Sequence, residues 1–300
     1  MKTIDIYQVD AFTDQPFCGN PAGVVPDASG LTDKDMLNIA REMALSETAF
    51  VFPGKEGEYA REVRFFTPTE EVDLCGHATI ATFYLLAQLD QFESDQEVLK
   101  IKQKTKAGIL DIEILFKENK PHYVLMEQAQ PQHLWTINNM EELYNMCQIS
   151  EGDHFYSESL STPKVYSTGL PDVILPVKNL DTLKALEPDM KLLATFSRNN
   201  DMAGLHAFTI EDETVYARNF APAYDIDEEA ATGTANGALI SYLYDHGYFK
   251  DEHIGEINVY QGDFMGRPSR IYARICEEEG VKKVQVGGRA AVVLKGRMWL

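Results

Sequence analysis

The chain has 300 residues, of which 44% are hydrophobic, so it is long enough for about two folded domains that each bury a core. Its 47 acidic residues outnumber its 27 basic residues, and the net charge of −20 disfavours binding to nucleic acid or to anionic membranes. Because no apolar run approaches the 18 or so residues that a membrane-spanning helix needs, we expect a cytoplasmic protein without a membrane partner.

Short strands and a few helices follow one another along the chain. Segments that are rich in β-branched and aromatic residues, or that alternate apolar with polar residues, predict strands at 3–9, 62–66, 109–115, 122–126, 214–218, 270–275 and 283–286. A cap-like Thr32 followed by apolar residues on one face predicts a helix over 32–43. Further peripheral helices are expected at 140–148 and 181–196.

Two further predicted helices carry almost no charge. Residues 77–90 contain no charged side chain before Asp90, and residues 234–245 contain none before Asp245. A helix on a protein surface normally has one polar face, which both of these segments lack. We therefore expect each of them to be a central helix that strands surround on all sides.

A weak internal repeat relates the two central helices. The sequence R-F-F-T-P at 64–68 precedes Gly76, and R-N-F-A-P at 218–222 precedes Gly233, at an offset of about 150 residues. A Gly-x-Pro marker lies upstream of each copy, at 19–21 and 169–171. The repeat predicts two similar domains in which strands wrap around one apolar helix.

The domain boundary is expected near residue 120. We predict an N-terminal domain at 1–120, completed by the last strands at about 280–300, and a C-terminal domain at 121–280.

Each central helix begins next to a glycine, Gly76 in the first copy and Gly233 in the second. The unpaired N–H groups at a helix N-terminus favour an anion such as a carboxylate. If the two halves face each other, these two ends would hold one small anionic substrate. Simple capping by a small residue is the alternative explanation for either glycine taken alone.

Glu47 and His77 are the candidate proton-transfer residues. Glu47 lies in L-S-E-T-A-F-V-F at 45–52, where strand alternation predicts that it shares a face with Leu45, Ala49 and Val51. A carboxylate on that face is partly removed from water, which suits general acid–base work. An exposed glutamate at the start of a strand is the alternative, and a lone histidine is often structural.

Cofactor and metal signatures are absent from the sequence. The four cysteines form no C-x-x-C pair, the seven histidines form no H-x-x-x-H pair, and no glycine-rich phosphate loop is present. We therefore expect free thiols, no metal and no cofactor. Cys75 next to Gly76 suits a nucleophile or proton carrier, but Thr232 precedes Gly233, so a racemase with two thiols lacks its second thiol.

The chain contains a set of motifs that together resemble the phenazine-biosynthesis PhzF-like family, within the diaminopimelate epimerase-like superfamily. These motifs are V-D-A-F-T at 9–13, F-C-G-N-P-A-G-V-V at 17–25, S-E-T-A-F at 46–50, F-T-P at 66–68, E-V-D-L-C-G-H-A-T at 71–79, S-T-G-L-P at 167–171, A-T-G-T-A-N-G at 231–237, Q-G at 261–262 and M-G-R-P-S at 265–269. They extend over nearly the whole chain.

The resemblance implies an α+β fold with two similar domains, each a mostly antiparallel β-barrel around a central helix, and an active site in the cleft between them. It implies catalysis by Glu47, with His77 and Glu229 in supporting roles. Substrate binding is expected at Asn20, Gly76, Gly233 and Thr234. No cofactor or metal is implied, and the family suggests a homodimer.

One motif departs from the family pattern. The usual Glu-Asp-Pro before the A-T-G segment is Glu228-Glu229-Ala230 here, so a longer carboxylate replaces Asp and the rigid proline is lost. This departure bears on substrate identity more than on the role of Glu47. A solvated acidic turn is the alternative interpretation of residues 227–229.

The leading hypothesis is a cofactor-independent isomerase that moves a proton between carbons of a small carboxylate substrate, as in the isomerisation of trans-2,3-dihydro-3-hydroxyanthranilate. One alternative is an amino-acid epimerase or racemase that uses Glu47 with Cys75 or Glu229. Another is a non-catalytic protein that binds a small anion.

Overall fold

The computed structural model describes residues 2–92, 96–153, 160–251 and 253–300. The chain divides into two compact units. Unit 1 comprises Met1–Glu127 and Gly287–Leu300, and unit 2 comprises Gln128–Val286. Within the described residues, no helix combines the length and the apolar character needed to cross a membrane.

The strands are β1 (Thr3–Ala11), β2 (Asn20–Val25), β3 (Thr48–Lys55), β4 (Tyr59–Phe66), β5 (Glu71–Val72), β6 (Val98–Thr105), β7 (Gly108–Lys117), β8 (Lys120–Glu127), β9 (Gln132–Thr136), β10 (Lys164–Ser167), β11 (Pro171–Pro176), β12 (Gly204–Glu211), β13 (Thr214–Ala221), β14 (Ile226–Glu229), β15 (Ile254–Gln261), β16 (Ser269–Glu278), β17 (Val281–Gly288) and β18 (Ala290–Trp299). The α-helices are α1 (Asp33–Met43), α2 (Gly76–Gln88), α3 (Met140–Cys147), α4 (Leu180–Ala185), α5 (Met190–Asn199) and α6 (Gly233–Asp245). Single 3₁₀ turns lie at Glu151–Asp153, Pro222–Tyr224 and Asp263–Met265.

Unit 1 is a mostly antiparallel sheet around a central helix. Strand β1 pairs with β18 and with β2, β2 continues to β3 in parallel, β3 pairs with β4, and β4 continues in parallel to β6 and on to β7 and β8. Helix α2 contacts strands near both ends of this order, β18 and β8, as well as β1, β2 and β3. The sheet therefore curls around α2.

Burial explains the missing charges of the central helix. Every residue of α2 from His77 to Ala87 is buried, because strands contact the helix on all sides. Helix α1 packs outside the sheet instead, where Met36, Ile39 and Ala40 face Phe50 and Phe66. Its amphipathic pattern therefore differs from that of α2.

Unit 2 repeats the strand pattern of unit 1. Strands β9, β10 and β11 are antiparallel, β11 and β12 are parallel, β12 and β13 are antiparallel, and β13 continues in parallel to β15 and on to β16. Helix α6 contacts β10, β11, β15 and β16, and its residues from Ala235 to Leu243 are buried. Helices α3, α4 and α5 pack against strands β10 to β13 and form a hydrophobic cluster with them.

The repeat includes an ion pair that the sequence analysis did not anticipate. In unit 1, Arg64 on β4 donates Nε and Nη2 hydrogen bonds of 2.7 and 2.9 Å to Glu71 on β5. In unit 2, Arg218 on β13 forms the same fork with Glu228 on β14, at 2.9 and 2.8 Å. The arginine of each R-x-F-x-P motif therefore fixes the short strand that leads toward the central helix.

The predicted α+β fold class is confirmed, and one predicted helix is wrong. The helix expected at 32–43 is α1, where Thr32 forms the N-cap and a capping box with Asp35. The segment 181–196 is two helices, α4 and α5, rather than one. Pro188 lies between them, and a proline disfavours helical backbone at the residue before it and cannot donate a backbone hydrogen bond.

Candidate active site

Glu47 lies where the chain enters β3, directly after a bend. Its carbonyl accepts a hydrogen bond of 3.0 Å from Gly23 N, which extends the parallel β2–β3 ladder by one residue and holds the Glu47 backbone. The predicted alternation is wrong here, because Leu45 lies outside the strand and the first four residues of β3 are all buried. Glu47 is half-buried because it directly precedes a strand whose first four residues are buried on both faces.

The Glu47 carboxylate contacts the imidazole of His77, the second residue of α2. Glu47 Oε2 lies 3.2 Å from His77 Nε2, and the two side chains are 21% and 7% exposed. This contact has no hydrogen-bond geometry, so the buried Oε2 has no hydrogen-bond partner among the described residues. An unsatisfied carboxylate oxygen is costly to bury, so its burial here calls for an explanation such as a catalytic role.

Two further side chains surround the His77 ring. Ser46 Oγ lies 3.4 Å from His77 Nε2, and Cys75 Sγ lies 3.4 Å from His77 Nδ1. Cys75 is buried and is the N-cap of α2, so its thiol and the imidazole project from the same helix end. The S-E-T and C-G-H motifs thus meet in unit 1, and Ser46 joins the residues that the sequence analysis singled out.

Both central helices begin without a side-chain cap. Neither Cys75 at α2 nor Thr232 at α6 accepts a capping hydrogen bond from its helix. A Cβ atom on Gly76 would lie 3.7 Å from the Met126 methyl group, and one on Gly233 would lie 3.9 Å from a Val286 methyl group, in each case the nearest atom outside the local backbone. Neither glycine has a positive φ. Packing and backbone conformation therefore do not demand glycine at either helix start.

Glu229 lies at the entrance to α6 in unit 2. Its carboxylate accepts a hydrogen bond of 2.6 Å from Thr232 Oγ1, and its carbonyl accepts one of 2.8 Å from Gln261 Nε2. Neighbouring Glu228 is committed to Arg218, and Asp227 is exposed. Of the three consecutive acidic residues, Glu229 is the one whose carboxylate faces the helix start.

Thr234 and Asn20, which are both predicted to bind substrate, lie at different positions of the repeat. Thr234 is the second residue of α6, and its carbonyl accepts a hydrogen bond of 3.0 Å from Thr168 Oγ1 in the S-T-G-L-P motif. Asn20 is buried at the start of β2, a strand that packs against α2. The first Gly-x-Pro marker therefore contains Asn20, and the second lies in the motif that donates a hydrogen bond to Thr234.

A buried polar cluster in unit 2 escaped the sequence analysis. Asp172 on β11 is 1% exposed and accepts hydrogen bonds from the Asn219 side chain and the Gly204 amide, while its Oδ1 has no partner among the described residues. Burial and, secondarily, the charge of Glu229 raise the pKa of Asp172 from 3.8 to about 7. The sequence P-D-V-I-L-P shows nothing that distinguishes this aspartate from an exposed one.

His206 belongs to the same cluster. Its Nδ1 lies 3.3 Å from Asn219 Nδ2, and burial lowers the pKa of its imidazole from 6.5 to about 4. Asn219 therefore connects two buried groups that are both neutral near pH 5.5, and Thr232 Oγ1 lies 3.2 Å from Asn219 Oδ1. This chain of contacts leads from the interior of unit 2 to the start of α6.

Comparison with known proteins shows which family the chain belongs to. The family model for phenazine biosynthesis-like protein, PhzC-PhzF, matches residues 9–296. The chain belongs to this family. Its sequence is 37% identical over 309 residues to an uncharacterized isomerase of Clostridium acetobutylicum, covering 100% of this chain and 99% of that protein. It is 32% identical over 294 residues to the trans-2,3-dihydro-3-hydroxyanthranilate isomerase of Pseudomonas aeruginosa, covering 97% and 98%.

A solved structure of the PhzF family has the same fold. The Bacillus anthracis phenazine biosynthesis protein superposes with a TM-score of 0.87 at 31% identity, and each chain is covered over its full length. These matches confirm the resemblance to the PhzF family that the motifs indicated. The motif residues Glu47, Cys75 and His77 lie together in the member described here.

Proposed function

We propose that this PhzF-family protein is an isomerase that moves a proton between two carbon atoms of a small carboxylate substrate. The observation that carries the proposal is the Glu47 carboxylate, whose Oε2 is buried without a hydrogen bond at 3.2 Å from His77 Nε2. A general base needs a free lone pair near the proton that it abstracts. The names of the relatives, which are isomerases, support the same reaction class.

The proposed reaction is redox-neutral. Glu47 takes a proton from one carbon as the C–H bond breaks, and the electron pair of that bond forms a new double bond to the neighbouring carbon. The pair of the existing double bond shifts at the same time to the carbon that will be protonated. The same carboxyl group then returns the proton to a different carbon, where a new C–H bond forms. No oxidant, reductant or metal enters this balance, so we propose catalysis by side chains alone.

His77 and Glu229 take supporting roles in this proposal. The His77 imidazole is packed between Cys75 and Glu47, so it orients the catalytic carboxyl group as that group gains and loses a proton. Glu229 is fixed by the Thr232 hydroxyl, which holds the carboxylate in one orientation for contact with a polar group of the substrate. The longer side chain in place of the usual aspartate adjusts which substrate fits.

The uncapped helix starts are the proposed carboxylate-binding groups. The N–H groups after Gly76 and Gly233 have no capping side chain, and the positive end of a helix dipole stabilises an anion. Glycine at these positions lets a ligand approach the backbone closely, which explains its use where packing does not require it. Asn20 and Thr234 are proposed to complete substrate binding.

The decisive experiment follows deuterium from solvent into carbon positions by NMR in D₂O. The panel contains trans-2,3-dihydro-3-hydroxyanthranilate, diaminopimelate and proline derivatives. Glu47→Gln should lower turnover by about 10²–10⁴-fold, the usual contribution of a general acid–base group. Glu42→Gln, which changes an exposed glutamate on α1, should behave like the unmodified protein.

Turnover of the dihydro compound with exchange at carbon would support the proposal, and prior dialysis against EDTA should leave the rate unchanged. Full activity in Glu47→Gln would remove Glu47 from the mechanism. Binding of the compounds with neither turnover nor exchange would identify a small-anion binding protein instead.

Cys75 favours one second candidate, an amino-acid epimerase or racemase. Its thiol and the Glu47 carboxylate both lie within 4.8 Å of the His77 ring, so two acid–base groups are available in one unit. Inversion at the α-carbon that is lost in both Glu47→Gln and Cys75→Ser would establish this reaction. Thr232 occupies the N-cap position of α6, so a pair of thiols is not part of the candidate mechanism.

A further inference from the structure

The hydroxyl group of Thr232 belongs to a polar network at the start of α6. Its Oγ1 lies 2.6 Å from Glu229 Oε2 and 3.2 Å from both Asn219 Oδ1 and Gln261 Nε2. Asn219 and Gln261 are each 1% exposed, whereas Thr232 and Glu229 are half-buried. A threonine at an N-cap ordinarily accepts a hydrogen bond from its own helix, but Thr232 makes no such bond. Its hydroxyl group therefore serves the network rather than the helix.

Hydrogen-bond partners fix the direction of the Gln261 side-chain amide. Its Oε1 faces the backbone N–H of Thr232 at 3.4 Å, a group that can only donate. Its Nε2 faces the backbone carbonyl of Glu229 at 2.8 Å, a group that can only accept. The same Nε2 therefore also donates to Thr232 Oγ1. The hydroxyl group must then donate its single proton elsewhere, to Glu229 Oε2 or to Asn219 Oδ1.

Asn219 is held in place by two buried groups. Its side-chain amide donates a hydrogen bond to the Asp172 carboxyl group, and its Nδ2 lies 3.3 Å from His206 Nδ1. Asp172 and His206 are 1% and 0% exposed. Because the amide nitrogen faces these two groups, the amide oxygen faces Thr232. Asn219 Oδ1 is thus a fixed acceptor for the hydroxyl proton.

Two arrangements of the hydroxyl proton follow from this geometry. With Glu229 ionised, the proton points to Oε2, and the O···O distance of 2.6 Å is typical of a hydrogen bond to a carboxylate. With Glu229 protonated, the carboxylic acid donates to Thr232 Oγ1, and the hydroxyl proton turns to Asn219 Oδ1. Oγ1 then accepts two bonds and donates one, which is its full capacity. Rotation about one C–O bond therefore serves Glu229 in both protonation states.

Asp172, His206 and Glu228 are the ionisable groups that surround Glu229 in this network. Glu228 is neutralised by Arg218 at 2.8 Å, and burial lowers the pKa of His206 to about 4, so its imidazole is neutral at pH 7. Burial and, secondarily, the charge of Glu229 raise the pKa of Asp172 to about 7. Two carboxyl groups that interact in this way disfavour being ionised together. The surroundings therefore favour a proton on one of the two.

We propose that Thr232 and Asn219 are positioning residues that let Glu229 alternate between carboxylate and carboxylic acid during turnover. Glu229 gives its proton to a polar atom of the substrate as the first C–H bond breaks, and takes it back as the new C–H bond forms, so no net proton is consumed. The Thr232 hydroxyl proton turns from Asn219 to Glu229 and back in the same cycle. The exchange with substrate rests on the proposed function, whereas the two proton arrangements do not.

The first test follows the Glu229 carboxyl carbon by NMR and needs no substrate. Full-length protein labelled with ¹³C at glutamate Cδ is titrated over the pH range in which it is folded, and Glu229→Gln identifies the resonance. Thr232→Val should raise the titration midpoint by about one pH unit, because the carboxylate loses a hydrogen bond that stabilises its charged form. Thr232→Ser, which keeps the hydroxyl group, should have the midpoint of the unmodified protein.

Asn219→Leu should shift the Glu229 midpoint downward, because the protonated form then loses the acceptor for the Thr232 proton. General loosening of the helix start does not produce shifts of opposite sign. Thr195→Val is the control, since this exposed hydroxyl group on α5 donates to the Lys191 carbonyl, and it should leave the midpoint unchanged. Circular dichroism checks folding, and Thr232→Ala takes the place of Thr232→Val if the valine variant does not fold. An unchanged midpoint without the Thr232 hydroxyl group, or shifts of the same sign at the two positions, would overturn the alternation.

Activity measurements separate this inference from the proposed function. With an active isomerase, Thr232→Val should lower kcat about tenfold with little change in KM, and the pH profile of kcat should move with the NMR midpoint. Thr232→Ser should recover the rate. Opposite midpoint shifts establish the two proton arrangements even if no compound is turned over. Turnover whose pH profile ignores the midpoint of Glu229 overturns the proton exchange with substrate and leaves the isomerase intact.

Discussion

The buried Asp172 offers a direct test of how unit 2 is stabilised. This carboxyl group is 1% exposed, its Oδ1 has no partner among the described residues, and burial raises its pKa from 3.8 to about 7. Between these values the native protein keeps the Asp172 proton, whereas the unfolded chain releases it. Stability from this group is therefore present at low pH and is lost as the pH rises toward 7.

The size of the effect follows from the difference in proton uptake. One proton bound only by the native state changes the free energy of unfolding by about 1.4 kcal/mol per pH unit. Between pH 5 and 7, Asp172 should therefore lower the stability of the native state by about 2 kcal/mol. Asp172→Asn keeps a neutral polar group of similar shape and removes this loss.

His206 opposes Asp172 over part of the same range. Its folded pKa of about 4 lies below the ordinary 6.5, so the unfolded chain binds a proton that native His206 does not. This difference makes stability rise as the pH increases from about 4 to 6.5, with the sign opposite to that of Asp172. In the unmodified protein the two opposite changes of stability with pH partly cancel. In Asp172→Asn only the increase of stability with pH that His206 contributes should remain.

The assay is urea unfolding at pH values from 5 to 7.5, followed by the fluorescence of Trp135. This residue packs against the core of unit 2, whereas Trp299 in unit 1 is already 65% exposed. The stability of Asp172→Asn relative to the unmodified protein should increase by about 2 kcal/mol between pH 5 and 7. Exposed Asp225→Asn is the control. A difference that stays constant with pH for Asp172→Asn would refute the reasoning.

Two further predictions concern the repeat and the helix start. Arg218→Ala should lower the unfolding free energy by about 3–5 kcal/mol. The change leaves the half-buried Glu228 carboxylate without its partner and removes the donor to three carbonyls near the end of α4. Arg64→Ala should cost less, since Arg64 is 25% exposed, and equal losses in urea titrations would contradict this ranking. Gly76→Ala should raise KM about tenfold without lowering the melting temperature, because its methyl group meets ligand rather than protein. An unchanged KM would argue against carboxylate binding there.

Sequence patterns predicted elements where burial follows a regular period or is complete. The capping box at Thr32 marked α1, and the missing charges of 77–90 and 234–245 marked the two central helices. Strands β2 and β12 lacked such a signal, since they are buried on both faces and contain Gly or Pro. A strand that is buried on both faces needs apolar residues on both, so its sequence shows no alternation of apolar and polar residues.

The candidate site was predictable to the level of motifs but not of contacts. Glu47 stood out at the start of a strand and His77 at the start of a helix, and the structure places Glu47 Oε2 3.2 Å from His77 Nε2. The roles of Ser46 and Asp172 could not be predicted, because a neighbouring hydroxyl and a buried aspartate depend on pairings that are distant along the chain. Which carboxyl groups lose solvent is decided by tertiary packing, not by local sequence.

Strand β18 gives the chain a particular order of completion during synthesis. Strand β18 pairs along the length of β1, on the side of β1 that β2 does not occupy. That side of β1 stays unpaired until residues 290–299 have left the ribosome. Unit 2 is contiguous, and all of its strands are available earlier. Until β18 arrives, β1 presents an unpaired edge that can recruit another strand. A chain in which β18 has not yet been made therefore exposes this edge of β1 to mispairing.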